Sequence, residues 1–159
     1  DTDYAGCKVT RKSTSGGVVM LGNLCIKAWS TTQSLVSLSS GEAQYYGLVK
    51  AGSQALGLKA ILGDLGVNVS IELWSDASAA IGIASRKGLG KVRHIEVHQM
   101  WVQSKVANGE ITLEKVKGTK NLADALTKYT PPDGIKLHLR GTNQYVVEGR
   151  HSLMPEITA

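Results

Sequence analysis

A chain of 159 residues suits one domain with a single core, and 42% apolar against 19% charged residues is a globular composition. The net charge of +5 is a modest basic excess that favours a polyanionic partner without demanding one. No run approaches the length needed to span a membrane, and two cysteines, Cys7 and Cys25, make neither a disulfide framework nor a metal pattern, which favours reduced thiols in an intracellular protein. With no Phe in the chain, Trp29, Trp74 and Trp101 are expected in the core rather than as stacking platforms. The opening Asp1-Thr2-Asp3-Tyr4 has no initiator Met and no apolar leader, so a piece of a longer protein is expected.

In chain order, residues 4–16 read as a polar loop carrying Lys8, Arg11 and Lys12. Gly17–Leu21 reads as a strand, Gly22-Asn23 as a turn, Cys25–Ser30 as a second strand and Ser34–Leu38 as a third, an antiparallel meander. Ser39-Ser40-Gly41-Glu42 has the form of a capping box. Behind it Tyr45, Leu48, Val49, Gly52, Ala55 and Leu56 recur at steps of three and four, predicting a helix to about Leu65 closed by Gly66.

Ser70–Ser75 predicts a strand with Asp76 at its end, followed by a short helix over Ala77–Ser85. Lys87–Lys91 is a basic Gly-rich loop, Val92–Ala107 a helix, Asn108-Gly109 a turn and Glu110–Val116 a strand. Lys117–Lys120 is a basic loop and Asn121–Lys128 a final helix capped by Asn121 and ended by Pro131-Pro132. The tail from Tyr129 to Ala159 shows no clear period beyond a candidate strand at Gln144–Val147. The order describes an α/β domain, a mixed sheet with helices on its faces.

Asp76 stands where open α/β sheets build their sites, at the end of a strand before a helix. Asp124 follows a basic loop, and Asp1 and Asp3 precede the first turn. Carboxylates converging from such distant points can hold two Mg²⁺ ions about 4 Å apart and clamp a phosphodiester. Pattern alone equally allows Asp76 as a helix cap, Asp124 on a solvated face and Asp1 as a terminus.

The stretch Asp1–Gly17 is similar to the opening of the ribonuclease H domain of copia-type LTR retrotransposon Pol polyproteins. So, in order, are Trp29-Ser30 with Gln33, Leu38–Tyr45, Trp74–Ala80, Arg93–Glu96 and Ala123–Lys128; together they span roughly residues 1–128. The resemblance implies a ribonuclease H-like five-stranded mixed sheet flanked by helices, with residues 129–159 a tail of unknown role. It implies an endonuclease-type domain that hydrolyses the RNA strand of RNA–DNA hybrids during reverse transcription, using two Mg²⁺ (or Mn²⁺) ions. The implied partners are the hybrid and the upstream reverse transcriptase portion of the same polyprotein, with no membrane, in a cytoplasmic particle or the nucleus. The family's first strand lies ahead of the position of Asp1, in the middle of the sheet. Its four catalytic carboxylates fall on Asp1, Gln44, Asp76 and Asp124, with Asp3 a weaker choice than Asp1; the metal ligands are Asp1, Asp76 and Asp124.

At the second position this chain has Gln44 where the family has Glu. Glu42 cannot substitute, because residues two apart on a helix point about 200° apart, and its expected role is capping. An amide holds a hard cation less well than a carboxylate, so cleavage is expected to be impaired with hybrid binding kept. The alternative is a catalytically inactive ribonuclease H-like module serving in hybrid binding or protein interaction. Two smaller departures are Glu96, where the family usually has Asp, and the absence of a His in the Lys117–Lys120 loop. Arg86, Lys87, Lys91 and Arg93, with Lys117 and Lys120, are candidate phosphate-backbone contacts or solvated loops on even terms; Lys115 is weighed the same way. His94, Glu96 and His98 share one helical turn but lack the metalloprotease order, so a helix surface is expected there.

Overall fold

The computed structural model describes residues 1–88, 90, 95–146 and 149. Strand β1 (Thr14–Leu21) and strand β2 (Leu24–Thr32) pair antiparallel, from Thr14 opposite Thr32 to Leu21 opposite Leu24, around the expected turn. Gly22, at φ +56, supplies the left-handed residue that such a tight turn favours. Strand β3 (Ile71–Ser75) and strand β4 (Ile111–Lys115) pair parallel. Among the described residues the sheets are therefore two separate pairs, with four helices, and a five-stranded sheet is not formed.

Helix α1 (Ser40–Asp64) starts and stops as its sequence dictates. The Ser39 hydroxyl accepts from the Glu42 N–H at 3.2 Å, while Glu42 reaches back to accept from the Leu38 N–H at 2.9 Å. At the other end Val67 N–H bonds Leu62 O, Gly66 N–H bonds Gly63 O, and Gly66 takes φ +79, a Schellman closure. The buried face carries Tyr45, Leu48, Val49 and Gly52, packed with Ile71, Leu73, Ile83, Val102 and Ile111 in one core. Helix α2 (Ser78–Ser85) and helix α3 (Trp101–Ala107) pack against this core.

Several expectations are corrected. Ser34–Leu38 is not a strand: Leu35, Val36 and Leu38 are exposed, and Ser37 bonds back to Gln33 instead of joining a ladder. Gln33 itself ties the hairpin to α1, donating to Ser15 Oγ (2.9 Å) and Ala43 O (2.8 Å). The helix expected over Val92–Ala107 is a 3-10 turn at Val97–Gln99 followed by α3, with residues 92–94 outside the described residues. Asn121–Lys128 is a 3-10 helix at Leu122–Leu126, although Asn121 caps it as expected, accepting from the Ala123 N–H. Trp74 is 58% exposed rather than core, whereas Trp101 packs against the core. Helix α4 (Pro132–Gly141) begins at the proline pair read as a terminator, because proline is pre-organised for the first turn of a helix. It lies on the Leu122–Leu126 segment, with His138 Nδ1 2.8 Å from Leu122 O. Gln144–Tyr145–Val146 forms no strand, and Val147 lies outside the described residues.

Two buried groups give checkable consequences. Gln103 donates to Ile83 O (2.8 Å) and Gly88 O (3.1 Å) and accepts from the Gly88 N–H (3.0 Å), fixing the chain after α2. Gln103→Ala orphans these groups and is expected to cost about 1–3 kcal/mol in denaturant unfolding. Burial pushes the Tyr45 phenol up to about 12, and burial with the Glu42 hydrogen bond raises Tyr46 as well. The folded state thus keeps phenolic protons that the unfolded chain releases near pH 10. This stability is complete below pH 10 and is lost as pH rises towards 12, so unfolding and tyrosinate absorbance should appear together in an alkaline titration.

Between the two strand pairs runs a groove of about 740 Å³. One wall is the run Gly16–Gly22 and the other the run 68–75, so both are strand edges rather than alternating side-chain faces. Leu48, Ala51, Ala55, Leu58 and Leu62 of α1 also line it.

Candidate active site

Residues 1–3 run antiparallel to the start of β1. Asp1 and Gly16 exchange two backbone bonds, amine to Gly16 O at 3.0 Å and Gly16 N–H to Asp1 O at 2.9 Å; Thr2 bridges Ser15, and the Asp3 N–H donates to Thr14 O. This ladder fixes the Asp1 carboxylate. Asp3 serves structure instead, since its carboxylate accepts from the Thr14 N–H. Helix α1 approaches closely because Gly47 has no side chain: a Cβ there would strike Thr2 Oγ1. Gln44, one turn earlier, is thereby set against Asp1.

The Gln44 amide donates to Asp1 Oδ1 at 3.2 Å and to Thr2 O at 2.8 Å. Thr127 donates to Asp1 Oδ2 and stands 3.1 Å from Asp124 O, its single proton serving one acceptor at a time. Both oxygens of Asp1 are thus engaged. Asp124 is half-buried, with its Oδ1 2.6 Å from Lys128 Nζ. Asp76 sits at the end of β3; Lys115 holds its backbone oxygen and donates to Ser78 Oγ at 2.8 Å. The Asp76 Oδ1 atom is buried with no hydrogen-bond partner. Its Oδ2 lies 3.3 Å from the place a Cβ on Gly118 would occupy, so the 117–120 turn closes over it.

The Asp1 amine reports the neighbourhood. Burial lowers its proton affinity below the usual value, while the Asp76 and Asp124 carboxylates pull the other way. Asp76 and Asp124 thus act on the same amine that Asp1 carries, beside the Gln44–Asp1 hydrogen bond, yet no group of three or more His, Cys, Asp or Glu poised to hold a metal occurs among the described residues. In kind the donors fit a hard divalent cation: carboxylate oxygens, one of them buried and unsatisfied.

Of the candidate nucleic-acid contacts, Lys87, Lys117 and Lys120 are exposed, and Lys120 shares the groove lining with Asp1. Arg86 is half-buried, with its guanidinium against Gly90. Lys91 and Arg93 lie outside the described residues, as does His94. Glu96 pairs with His98 at 3.0 Å on an exposed surface. Thr127, Lys128 and Lys115 were not singled out by sequence reasoning as partners of the aspartates. The first two stand beside Asp124 in the Ala123–Lys128 stretch, which was the available signal.

No family model and no solved structure matches the chain. It is 29% identical, over 139 residues and 86% of its length, to the Retrovirus-related Pol polyprotein from transposon TNT 1-94 of Nicotiana tabacum. It is 28% identical over 131 residues, 80% of its length, to those from transposons RE1 and RE2 of Arabidopsis thaliana. The match takes up 10% of the first relative and 9% of the other two. The chain is thus similar to a short stretch of retrotransposon Pol polyproteins from plants.

Proposed function

We propose that residues 1–128 are a ribonuclease H-like domain of a copia-type Pol polyprotein, directed at the RNA strand of RNA–DNA hybrids and impaired by Gln44. What supports this reading is the Gln44–Asp1 hydrogen bond, with the Asp76 and Asp124 carboxylates near enough to act on the Asp1 amine. The five-stranded sheet belongs to the same reading. One strand laid in the groove would join the two pairs in the order β2, β1, inserted strand, β3, β4.

Asp1, Asp76 and Asp124 would hold Mg²⁺ or Mn²⁺, which when bound supplies Lewis acidity and an activated water to phosphodiester hydrolysis. The chain's own residues prepare the site. Thr127 orients the Asp1 carboxylate, Lys128 balances the charge of Asp124, and Lys115 pins the backbone at Asp76. Lys87, Lys117 and Lys120 offer cations to a phosphate backbone. The upstream reverse transcriptase portion is the proposed neighbour in the polyprotein. No described helix is long and apolar enough to cross a membrane.

The second reading, an inactive hybrid-binding or interaction module, is favoured by one observation. The Gln44 amide satisfies Asp1 and Thr2 O without any ion. The hybrid-directed form of both readings predicts hybrid binding, and the protein-interaction form does not. In competition experiments the chain should prefer an RNA–DNA hybrid to a DNA duplex of the same sequence. Lys117→Glu with Lys120→Glu should weaken that binding about tenfold or more at low salt and flatten its salt dependence. Equal affinity for both duplexes, or no effect of the charge reversals, would sink the hybrid-directed reading.

A further inference from the structure

Asp124 stands on a turn that does little to hold itself. The Asp124 N–H reaches Asn121 O at 3.2 Å and the Thr127 N–H reaches Asp124 O at 3.3 Å, both at the long end of the hydrogen-bond range. The Asn121 amide nitrogen is buried with no partner. The placement of the turn therefore rests on what lies on either side of it. On one side is β1, close because Gly16 has no side chain: a Cβ there would stand 2.8 Å from Leu126 Cβ and 2.9 Å from Thr127 Cγ2. On the other is α4, where Leu122 fills the space that a Cβ on Gly141 would need. His138 Nδ1 donates to Leu122 O at 2.8 Å, since a carbonyl can only accept. The end of α4 is itself fastened: Thr142 is buried, and its N–H and hydroxyl both donate to His138 O, at 2.9 and 2.7 Å. Yet α4 holds no buried residue and no member of the hydrophobic core. Its contacts serve the Asp124 turn rather than the core.

We propose that α4 is a positioning element of the candidate site. His138 and Gly141 press the turn onto β1. They thereby keep Thr127 on the Asp1 carboxylate and fix Asp124, whose backbone oxygen Thr127 also meets, without touching substrate or ion. This gives a role to part of the stretch beyond residue 128. It rests on the reading above of Asp124 as a metal ligand, while the clamp itself is testable without an ion.

The test replaces His138 in the intact chain with leucine, which cannot donate, and with asparagine, whose amide nitrogen is as many bonds from the backbone as Nδ1. Leucine is the better helix former, so it does not weaken α4. In His138→Leu, amide exchange at Asp124 and Thr127 should speed about fivefold or more, with α1 and the β1–β2 hairpin unchanged, and His138→Asn should restore protection. Unchanged exchange at the turn, or an equal rise throughout the chain, overturns the clamp. In a second arm both substitutions are made on Gln44→Glu and the chains are titrated with Mn²⁺. Leucine should weaken Mn²⁺ binding about fivefold or more, and asparagine should not. Faster exchange with unweakened Mn²⁺ binding overturns the positioning role. A Gln44→Glu chain that binds no Mn²⁺ overturns the metal reading instead, and the exchange result then decides the clamp alone.

Discussion

Gln44→Glu is expected to turn a self-satisfied pair of side chains into a cation-dependent one. The amide now donates to Asp1 Oδ1 and Thr2 O. A carboxylate at the same place has no proton to give, so it faces one carboxylate and one carbonyl oxygen. Two hydrogen bonds are lost and a like-charge contact appears. In chelator, this should cost about 1–3 kcal/mol of stability. A divalent cation removes the penalty, because oxygen ligands with more negative charge bind a hard ion more tightly. Mg²⁺ should therefore raise the unfolding midpoint of the variant by several degrees while moving that of the Gln44 chain little, and calorimetry should give roughly tenfold or greater tightening of Mn²⁺ or Mg²⁺. A variant as stable in chelator as the parent would mean that Gln44 does not hold Asp1 as described.

Tyr45→Ala is expected to be the most damaging single change to the fold. Tyr45 is fully buried among the core residues, and its hydroxyl donates to Gln99 O at 2.9 Å. Truncation leaves a large cavity and an orphaned carbonyl, a loss of about 3–5 kcal/mol. Tyr45→Phe removes only the hydroxyl and should cost about 1 kcal/mol. Denaturant unfolding of the pair separates packing from hydrogen bonding; equal losses would show that the hydroxyl, not the ring, anchors α1. Because Tyr45 follows Gln44 directly, the larger loss should also loosen the site.

Local signals were the legible part of the fold. The β1–β2 hairpin was marked by Gly22-Asn23, and α1 was marked at both ends by Ser39, Glu42 and Gly66. What failed needed knowledge of partners. Ser34–Leu38 has strand-like residues, but a strand also needs an edge, and Gln33 and Ser37 use their side chains to make a loop instead. Trp74 looked like core because tryptophan usually is, yet it lines the groove and stands exposed. Helix α4 was hidden by Pro131-Pro132, since a proline pair ends one helix and opens the next equally well. At the site, the family resemblance, rather than the residues alone, pointed to Asp1, Gln44, Asp76 and Asp124. It did not disclose that Thr127 would occupy Asp1, a contact that depends on side-chain reach across the fold, whereas the Lys128–Asp124 pair is local, four residues apart, and was open to sequence reasoning.

The most direct test is cleavage of a labelled RNA–DNA hybrid in Mg²⁺ or Mn²⁺ by the chain as it stands and by Gln44→Glu. The account predicts hybrid binding by both, slow or absent cleavage by the Gln44 chain, and about a hundredfold or greater gain in Gln44→Glu that Asp76→Asn abolishes. Equal cleavage by the two, or a Gln44→Glu chain that binds hybrid and metal without cutting, would contradict it.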